Sequence, residues 1–325
     1  MEYVEQLFTA PAVEALIDRE PLIVTPDISL KLAIALMSQK NATCIIDKAD
    51  DTEFTFGNIS SSCVLIVEGI KLQGILTERD IVRLSARQVS FESVTVAEVM
   101  TRSVQTLTIS QVKDVFAALF LFRRYRIRHL PVVDDNNYLL GVISLLSIRR
   151  AMRPTSLLKV RRVADVMSRN IIHAPANTTV LQVAQLMTTN RVSCVIITQT
   201  DLEDNILIPV GIITERDILQ FQFLETRLDN LVAEEVMSKP LFLLSPEDSL
   251  LKAHQQMQRL RVRRLVVSGN WGQKISVITQ TSLLRVFDPV EMFRVIETLQ
   301  STVQQLEREK ALLASGKTID KLQNP

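Results

Sequence analysis

The stretch GILTERDIVRL, from Gly74 to Leu84, returns 137 residues later as GIITERDILQF, from Gly211 to Phe221, with seven of eleven positions identical. Each copy begins with apolar residues typical of a strand and ends with apolar residues at helical spacing. Between these parts stand a Thr and, three residues later, an Asp, a pattern that favours a helix N-terminus. The repetition predicts two equivalent structural units in one chain.

A second phrase recurs as AEVMTRSV from Ala97, ADVMSRNI from Ala164 and EEVMSKPL from Glu234. Each copy precedes a strand, a helical segment, two strands and a second helix, and a first repeat without the phrase begins near Pro21. The order predicts four β-α-β-β-α repeats of about 60 residues each. Because a unit this small buries little core by itself, each repeat is expected to pair with a neighbour.

The TERD sequence stands in repeats 1 and 3 and is altered in repeats 2 and 4, so the larger unit is a pair of repeats that occurs twice. The predicted fold is α+β. The predicted boundaries are 1–154 for the first pair, with repeats at about 7–90 and 94–154, and 155–288 for the second pair, with repeats at about 160–226 and 230–288. A predicted surface insertion occupies 41–60, and a basic linker containing Pro154 joins the pairs.

These phrases, together with RHLPVVDD from Arg128 to Asp135, resemble the cystathionine-β-synthase-type (CBS) domain, and their alternating order resembles two tandem Bateman modules. The whole is similar to the N-terminal sensor part of bacterial signalling proteins. The resemblance implies a regulatory protein that binds AMP, ADP or ATP between paired domains, with S-adenosylmethionine as a further candidate. It implies that occupancy is transmitted to an output protein, and that paired modules form a homodimer.

The Thr and Asp of each TERD copy can serve two purposes. A Thr hydroxyl can donate to a phosphate or ribose oxygen, and an Asp one turn later can accept from ribose hydroxyls. The resemblance implies this ligand contact for Thr77, Asp80, Thr214 and Asp217. The alternative is a capping box, which needs the same two residue types at the same spacing.

The even repeats carry other residues at these positions, namely Ser144 with Ser147 and Thr279 with Ser282, which are expected to hold a ribose poorly. They are instead basic at the entry to their middle strand. The resemblance implies phosphate contacts there, for Arg128, His129, Arg263 and Arg264. Each pair would then hold one asymmetric site, with the odd repeat at the ribose and the even repeat at the phosphates; the alternative is surface arginines with buried stems.

A pocket for the base is predicted where the odd repeats place small residues at strand entries. Its candidates are Val24, Thr25, Ser62, Cys63, His173, Ala174, Ser193 and Cys194. Ordinary packing of small residues at a strand entry is the alternative.

Composition excludes several function classes. Lys and Arg number 37 against 36 Asp and Glu, and aromatic residues make up 5%, so neither nucleic acid nor an anionic membrane is predicted as a partner. The acidic N-terminus, the lack of a long apolar run and three scattered cysteines predict a cytoplasmic protein. No metal-ligand spacing, phosphate loop or nucleophile motif occurs, so no catalytic activity, metal or catalytic cofactor is predicted.

Residues 289–325 predict an amphipathic helix. Its heptad seam follows 4-3 spacing at Met292, Ile296, Leu299, Val303, Leu306, Lys310 and Leu313. The spacing favours a coiled coil that reinforces a homodimer, with a helix docked on its own module as the alternative. Output through a signalling kinase or cyclase in trans is predicted from the resemblance. A dimerising scaffold with relic ligand motifs is the alternative function.

Overall fold

The computed structural model describes residues 12–46, 62–111, 115–152, 158–159, 161–201, 206–269 and 274–287. The predicted C-terminal helix at 289–325 and most of the predicted insertion at 41–60 lie outside the described residues. The first six residues of that insertion continue a helix that ends at Ile46.

Each repeat forms a strand, a helix, two strands and a helix, and short one-turn helices precede repeats 2, 3 and 4. In the first module the elements are β1 (Ile23–Val24), α1 (Leu30–Ile46), β2 (Cys63–Glu68), β3 (Lys71–Thr77), α2 (Glu78–Ala86), α3 (Val96–Val99), β4 (Leu107–Thr108), α4 (Val115–Tyr125), β5 (His129–Val133), β6 (Leu139–Ser144) and α5 (Leu145–Met152).

In the second module they are α6 (Val163–Val166), β7 (His173–Pro175), α7 (Val180–Asn190), β8 (Cys194–Thr200), β9 (Leu207–Thr214), α8 (Glu215–Phe223), α9 (Ala233–Val236), β10 (Leu243–Leu244), α10 (Leu250–Arg259), β11 (Arg264–Gly269), β12 (Lys274–Thr279) and α11 (Gln280–Leu283). Short 3-10 turns lie at Val13–Leu16, Ile109–Gln111 and Leu284–Phe287.

Every repeat builds its own three-stranded sheet, in which the second strand is central. The first strand pairs with it in parallel across the helical crossover, and the third pairs antiparallel across a tight connection. The central strands are apolar and buried, as in CVLIVE of β2. The predicted α+β fold with four β-α-β-β-α repeats is confirmed.

The two repeats of each module meet through their sheets. Leu65 of repeat 1 and Val142 of repeat 2 share one buried cluster, and Ile196 of repeat 3 and Val266 of repeat 4 share another. Since each repeat also has a helix-facing core, a module contains two cores and an apolar layer between its sheets.

The segment before each repeat packs on the partner repeat of the same module rather than on its own. Met100, which precedes repeat 2, lies in the core of repeat 1, and Met237, which precedes repeat 4, lies in the core of repeat 3. The phrase at 164–168 pairs with repeat 4, where the N–H of Ser168 donates to the carbonyl of Val277 at 2.8 Å. Each module is therefore interlocked, and neither repeat has a complete core without its partner.

The segment before repeat 1 also packs on its partner repeat, although its sequence lacks the VM phrase. Asp18 exchanges two backbone hydrogen bonds with Val142 of repeat 2, at 2.9 and 3.0 Å, and the turn at Val13–Leu16 fills the core of repeat 2. The stretch VEALID thus replaces VAEVMT, with Ile17 in the place of the methionine. Aligning the apolar positions instead of the letters VM would have found it.

In each odd repeat, a glycine leaves the space that the methionine of the partner's N-terminal segment occupies. A Cβ at Gly74 would lie 2.5 Å from Sδ of Met100 and 3.1 Å from the backbone oxygen of Thr101, and one at Gly211 would overlap Met237. This close contact explains why the TERD stretch is preceded by glycine in both copies: the segment before the partner repeat lies directly on the strand.

We expect Gly74→Ala to lower the free energy of unfolding by about 1–3 kcal/mol, because the added methyl group overpacks the contact with Met100. Denaturant unfolding of Gly74→Ala, Met100→Ala and the double variant measures the coupling between the two positions. Strictly additive losses would contradict the contact. Gly269→Ala is the matched control, since its Cβ would first meet a Pro246 side chain at 3.3 Å.

The two modules pack mainly through helices of the odd repeats. Val82 of α2 lies in the core of repeat 3, and Leu219 of α8 lies in the core of repeat 1. Ser38 of α1 donates from its hydroxyl to the Gln220 side chain at 2.8 Å. Because α2 and α8 both begin at a TERD stretch, their N-terminal turns are brought to the junction between the modules.

Candidate functional site

The Thr and Asp of both TERD copies form capping boxes. The backbone N–H and the hydroxyl of Thr77 donate to Oδ2 of Asp80 at 2.9 and 2.7 Å, and those of Thr214 donate to Oδ2 of Asp217 at 2.7 and 2.8 Å. Oδ1 of Asp80 pairs with Arg83 at 2.9 Å. Burial raises the pKa of Asp217, although the hydrogen bonds from Thr214 and the charge of Arg264 oppose the rise.

The equivalent positions of the even repeats also cap their helices, with hydroxyls only. The N–H of Ser144 donates to Oγ of Ser147 at 2.9 Å, and the N–H of Ser282 donates to Oγ1 of Thr279 at 3.1 Å. All four repeats therefore use this position to start a helix, but only the odd repeats place a carboxylate there.

In the first module, the structure brings the candidate residues of both repeats together. Ser62 and His129 are both buried, and Oγ of Ser62 lies 3.3 Å from Nε2 of His129. Cys63 pairs with Thr77 across β2 and β3, and the charge of Asp80 acts on Arg128. We name the group Ser62, Thr77, Asp80, Arg128 and His129 the first candidate site.

The second module has the same arrangement. Cys194 pairs with Thr214 across β8 and β9, and Arg264 exerts its charge on both Cys194 and Asp217. Burial raises the pKa of the Cys194 thiol, which is therefore neutral near pH 7. We name the group Cys194, Thr214, Asp217 and Arg264 the second candidate site.

The other base-pocket candidates lie apart from these groups or act through their backbone. Val24 and Ala174 belong to the helix-facing cores, whereas the side chains of Thr25 and His173 are exposed. Ser193 accepts a backbone hydrogen bond from Glu215 at 3.2 Å. Among the eight candidates, Cys63 and Cys194 are therefore paired with the Thr of the TERD stretch, and Ser62 contacts His129.

Sequence reasoning missed the Glu of each TERD copy. Glu78 and Glu215 are the first residues of α2 and α8, and each is only 1% exposed. Their presence in both copies, each followed by an Arg, was the available signal.

The short ion pairs of these two carboxylates cross from one module to the other. Oε2 of Glu215 accepts from Nη2 of Arg128 at 2.7 Å, and Oε1 accepts from Nε of Arg79 at 3.3 Å. In return, Glu78 accepts from Nη1 of Arg263 at 3.3 Å and lies 3.8 Å from Nε of Arg216. Arg128 and Arg263, predicted as phosphate contacts, are thus engaged by glutamates of the opposite module.

We name this group the inter-module cluster; it comprises Glu78, Arg79, Arg128, Glu215, Arg216, Arg263 and Arg264. Five guanidinium groups surround two carboxylates, so the cluster is positively charged. Two of its nitrogens, Nε of Arg216 and Nε of Arg264, are buried without a hydrogen-bond partner among the described residues. Buried donors of this kind are suited to an anionic acceptor.

The charges in the cluster are strongly coupled. Burial alone would lower the pKa of Arg128, but the charges of Glu215 and Glu78 and the hydrogen bond to Glu215 raise it. Burial would raise the pKa of Glu215, but Arg128, Arg264 and Arg79 together lower it. Burial lowers the pKa of Arg263 to about 10, with Arg216 and Arg264 adding to the effect and Glu78 opposing it. All of these groups are charged at pH 7.

His129 differs from its basic neighbours. Burial, together with the charges of Arg128, Arg263 and Arg79, lowers its pKa from 6.5 to about 3. The imidazole is therefore neutral at pH 7, and it can offer a hydrogen bond to a ligand but no positive charge. In the first candidate site the charge comes from Arg128.

We expect acid to destabilise the protein through His129. As the pH falls below 6.5, His129 becomes protonated in the unfolded chain, whereas in the folded chain it stays neutral down to a pKa of about 3. The free energy of unfolding therefore decreases as the pH is lowered. Between pH 7 and pH 5 the loss from this group is about 2 kcal/mol. Denaturant unfolding at both pH values measures it.

The matched comparison for that measurement uses two histidine substitutions. His129→Gln removes the pH-dependent loss, whereas His173→Gln, at an exposed histidine, retains it. Equal pH dependence in the two variants would contradict a neutral buried His129.

Within the described ranges, no group of three or more His, Cys, Asp or Glu residues could hold a metal ion. None of the helices in the same part of the chain is both long enough and apolar enough to cross a bilayer.

Comparison with known proteins places these features in a family. The profile of the CBS domain matches residues 13–87, 96–154, 163–223 and 232–288. In sequence, the chain is 28% identical over 188 residues to protein MJ1225 of Methanocaldococcus jannaschii, covering 54% of this chain and 63% of that protein. It is 27% identical over 175 residues to an uncharacterized 33.4 kDa protein in the ribosomal RNA operon of Thermofilum pendens, covering 49% of this chain and 55% of that protein. The matches thus span less than two thirds of the length of both relatives.

Solved structures agree in fold. The crystal structure of MJ1225 superposes with a TM-score of 0.67 at 20% identity, covering 85% of this chain and all of that one. An uncharacterized conserved protein from Pyrococcus horikoshii superposes with a TM-score of 0.53 at 18% identity, covering 85% of this chain and 99% of that one. At these identities the likeness concerns the arrangement of the four repeats and not their ligands.

Proposed function

The chain belongs to the CBS-domain family, and we propose that it is a non-catalytic regulatory protein that senses an adenosine-containing ligand at its two candidate sites. The CBS match covers four repeats, and the resemblance to Bateman modules implies such ligands. One observation carries the proposal for this chain: in each module, the Asp of the odd repeat lies within electrostatic reach of a half-buried guanidinium of the even repeat.

The residue roles follow from charge and donor type. Asp80 and Asp217 are the acceptors for ribose hydroxyls, and Arg128 and Arg264 are the donors for phosphate. Thr77 and Thr214 cap the helices and present their hydroxyls at the same edge. His129 contributes a neutral hydrogen-bonding group.

A ligand with phosphate fits this arrangement best. The inter-module cluster carries more guanidinium groups than carboxylates, and Nε of Arg264 is buried without a hydrogen-bond partner in the described part of the chain. An anionic acceptor would satisfy that nitrogen, whereas the sulfonium cation of S-adenosylmethionine would be repelled by the same charges. We therefore place AMP, ADP and ATP before S-adenosylmethionine.

One specific observation favours the alternative of a dimerising scaffold. Every Thr and Asp of the two sites is already used in a capping box, and Arg128 is already paired with Glu215. These side chains therefore have structural roles that do not require a ligand.

Calorimetric titration of the full chain with AMP, ADP, ATP and S-adenosylmethionine tests the function. We expect two AMP per chain, with Asp80→Ala and Asp217→Ala each lowering affinity at one site by about 10- to 100-fold, the effect of losing hydrogen bonds to a charged group. No binding at millimolar concentration would favour the scaffold.

Ser282→Ala is the matched control for those titrations. It removes the equivalent capping side chain in repeat 4, where Oγ of Ser282 accepts from the N–H of Thr279 at 3.3 Å and no carboxylate is present. We expect a loss of stability of about 1 kcal/mol and unchanged affinity for AMP. Equal losses of affinity in Ser282→Ala and Asp217→Ala would show that the cap, and not the carboxylate, matters.

The route of output is also a proposal. We propose that the C-terminal segment at 289–325 forms a coiled coil in a homodimer and conveys occupancy to a kinase or cyclase in trans, in a cytoplasmic protein. Leu299→Glu with Leu306→Glu would place charges in the predicted seam. Sedimentation should then show a monomer where the wild-type chain is a dimer, whereas Gln304→Glu, off the seam, should stay dimeric.

A further inference from the structure

Glu215 is shared between the guanidinium groups of the two candidate sites. Its Oε2 accepts from Nη2 of Arg128 at 2.7 Å and lies 4.0 Å from Nη2 of Arg264. Its Oε1 accepts from Arg79 at 3.3 Å. One carboxylate, 1% exposed, therefore depends on cations from both modules.

The two guanidinium groups near Glu215 belong to different candidate sites, Arg128 to the first and Arg264 to the second. Arg128 is influenced by Asp80 of the first candidate site. Arg264 acts on Cys194 and Asp217 of the second candidate site. Glu215 thus interacts with both guanidinium groups that would contact a ligand phosphate, one at each site.

We propose that Glu215 couples the two sites negatively, so that a phosphate bound at one site weakens the binding of a phosphate at the other. This inference rests on the proposed function, because it concerns the regulation of the same two sites. It assigns the Glu of the second TERD copy a role distinct from that of the neighbouring Thr and Asp.

The sign follows from counting the cations left to Glu215. A phosphate at the first site accepts hydrogen bonds from Arg128 and draws it away, which leaves Arg264 and Arg79. A phosphate at the second site does the same to Arg264. Occupancy of both sites leaves the buried carboxylate with Arg79 alone, and a poorly compensated buried charge is costly. The second ligand therefore binds more weakly than the first, whichever site fills first.

Glu78 provides a matched comparison within the same chain. It holds the same position in the first TERD copy and is equally buried, at 1% exposed. Its short contacts are with Arg263 and Arg216, at 3.3 and 3.8 Å, and it acts on Arg128 by charge without a hydrogen bond between them. Glu78→Gln should therefore preserve most of the coupling that Glu215→Gln removes.

The experiment is calorimetric titration of the full chain with AMP at fixed ionic strength. In the wild-type chain we expect the two affinities to differ by about tenfold beyond the statistical factor, within the usual range of coupling. In Asp80→Ala, which disables the first site, the second site should regain the tighter affinity. In Glu215→Gln both sites should bind more tightly, with affinities within about threefold of each other.

A second ligand and a second variant keep the mechanism testable. Adenosine lacks the phosphate and should show no coupling in the wild-type chain. Glu215→Asp keeps the charge but shortens the side chain, so it loses reach to Arg264 and should also reduce the coupling if Glu215→Gln fails to fold. Coupling of equal size for adenosine and AMP, or coupling that survives in either Glu215 variant, would overturn the proposal.

Failure of the coupling and failure of the sensing function give different results. Two AMP molecules that bind independently to the wild-type chain would overturn the coupling and leave the sensing function intact. A chain that binds no AMP, with Asp80→Ala and Asp217→Ala indistinguishable from wild type, would overturn the sensing function and the coupling together.

Discussion

The reciprocal ion pairs between Glu78 and Glu215 and the arginines of the opposite module are the constraint on which the junction depends. A carboxylate that is 1% exposed loses its hydration, and only close cations make its burial tolerable. Because Arg263 pairs with Glu78 and Arg128 pairs with Glu215, each module supplies the carboxylate of one pair and the guanidinium of the other. The N-terminal turns of α2 and α8 are thereby fixed against each other, and the Thr and Asp that we propose as ligand contacts lie in those same turns.

Apolar packing brings these charges together without specifying which charge meets which. Val82 of repeat 1 packs into the core of repeat 3, and Leu219 of repeat 3 packs into the core of repeat 1. These reciprocal contacts align the helices of the odd repeats. Such contacts tolerate shifts of a helix along its neighbour far better than a hydrogen bond between a guanidinium and a carboxylate does. In this division of roles, burial supplies most of the stabilisation and the ion pairs specify the register of the modules.

The repeated fold could be predicted from the sequence because short local patterns determine the order of its strands and helices. Apolar strands, helical spacing and the Thr–Asp cap are all short-range signals, and four copies of them leave little freedom. The exchanged N-terminal segments were missed because nothing local distinguishes a segment that packs on its own repeat from one that packs on the partner. VEALID was also hidden by its letters, since Ile17 fills a place that methionine fills elsewhere.

The candidate sites were predictable to the extent that they lie within one motif or one pair of repeats. Asp80 and Arg128 were assigned to the same module, and the structure places them within electrostatic reach of each other. The partner of Arg128 was not predictable, because Glu215 is 87 residues away and belongs to the other module. The low pKa of His129 was hidden for the same reason: it depends on burial and on three arginines from both modules.

The four letters of TERD therefore divide into two functions that share one helical turn. Thr and Asp face the cap and the proposed ligand within a module, whereas Glu and Arg face the opposite module. Because a helical turn moves as a unit, a ligand that shifts the Thr–Asp cap also shifts the Glu that pairs across the junction. The helix cap and the module interface are built from consecutive residues, so the proposed binding site would be mechanically linked to the interface, and both roles require the stretch as a whole and not only its Thr and Asp.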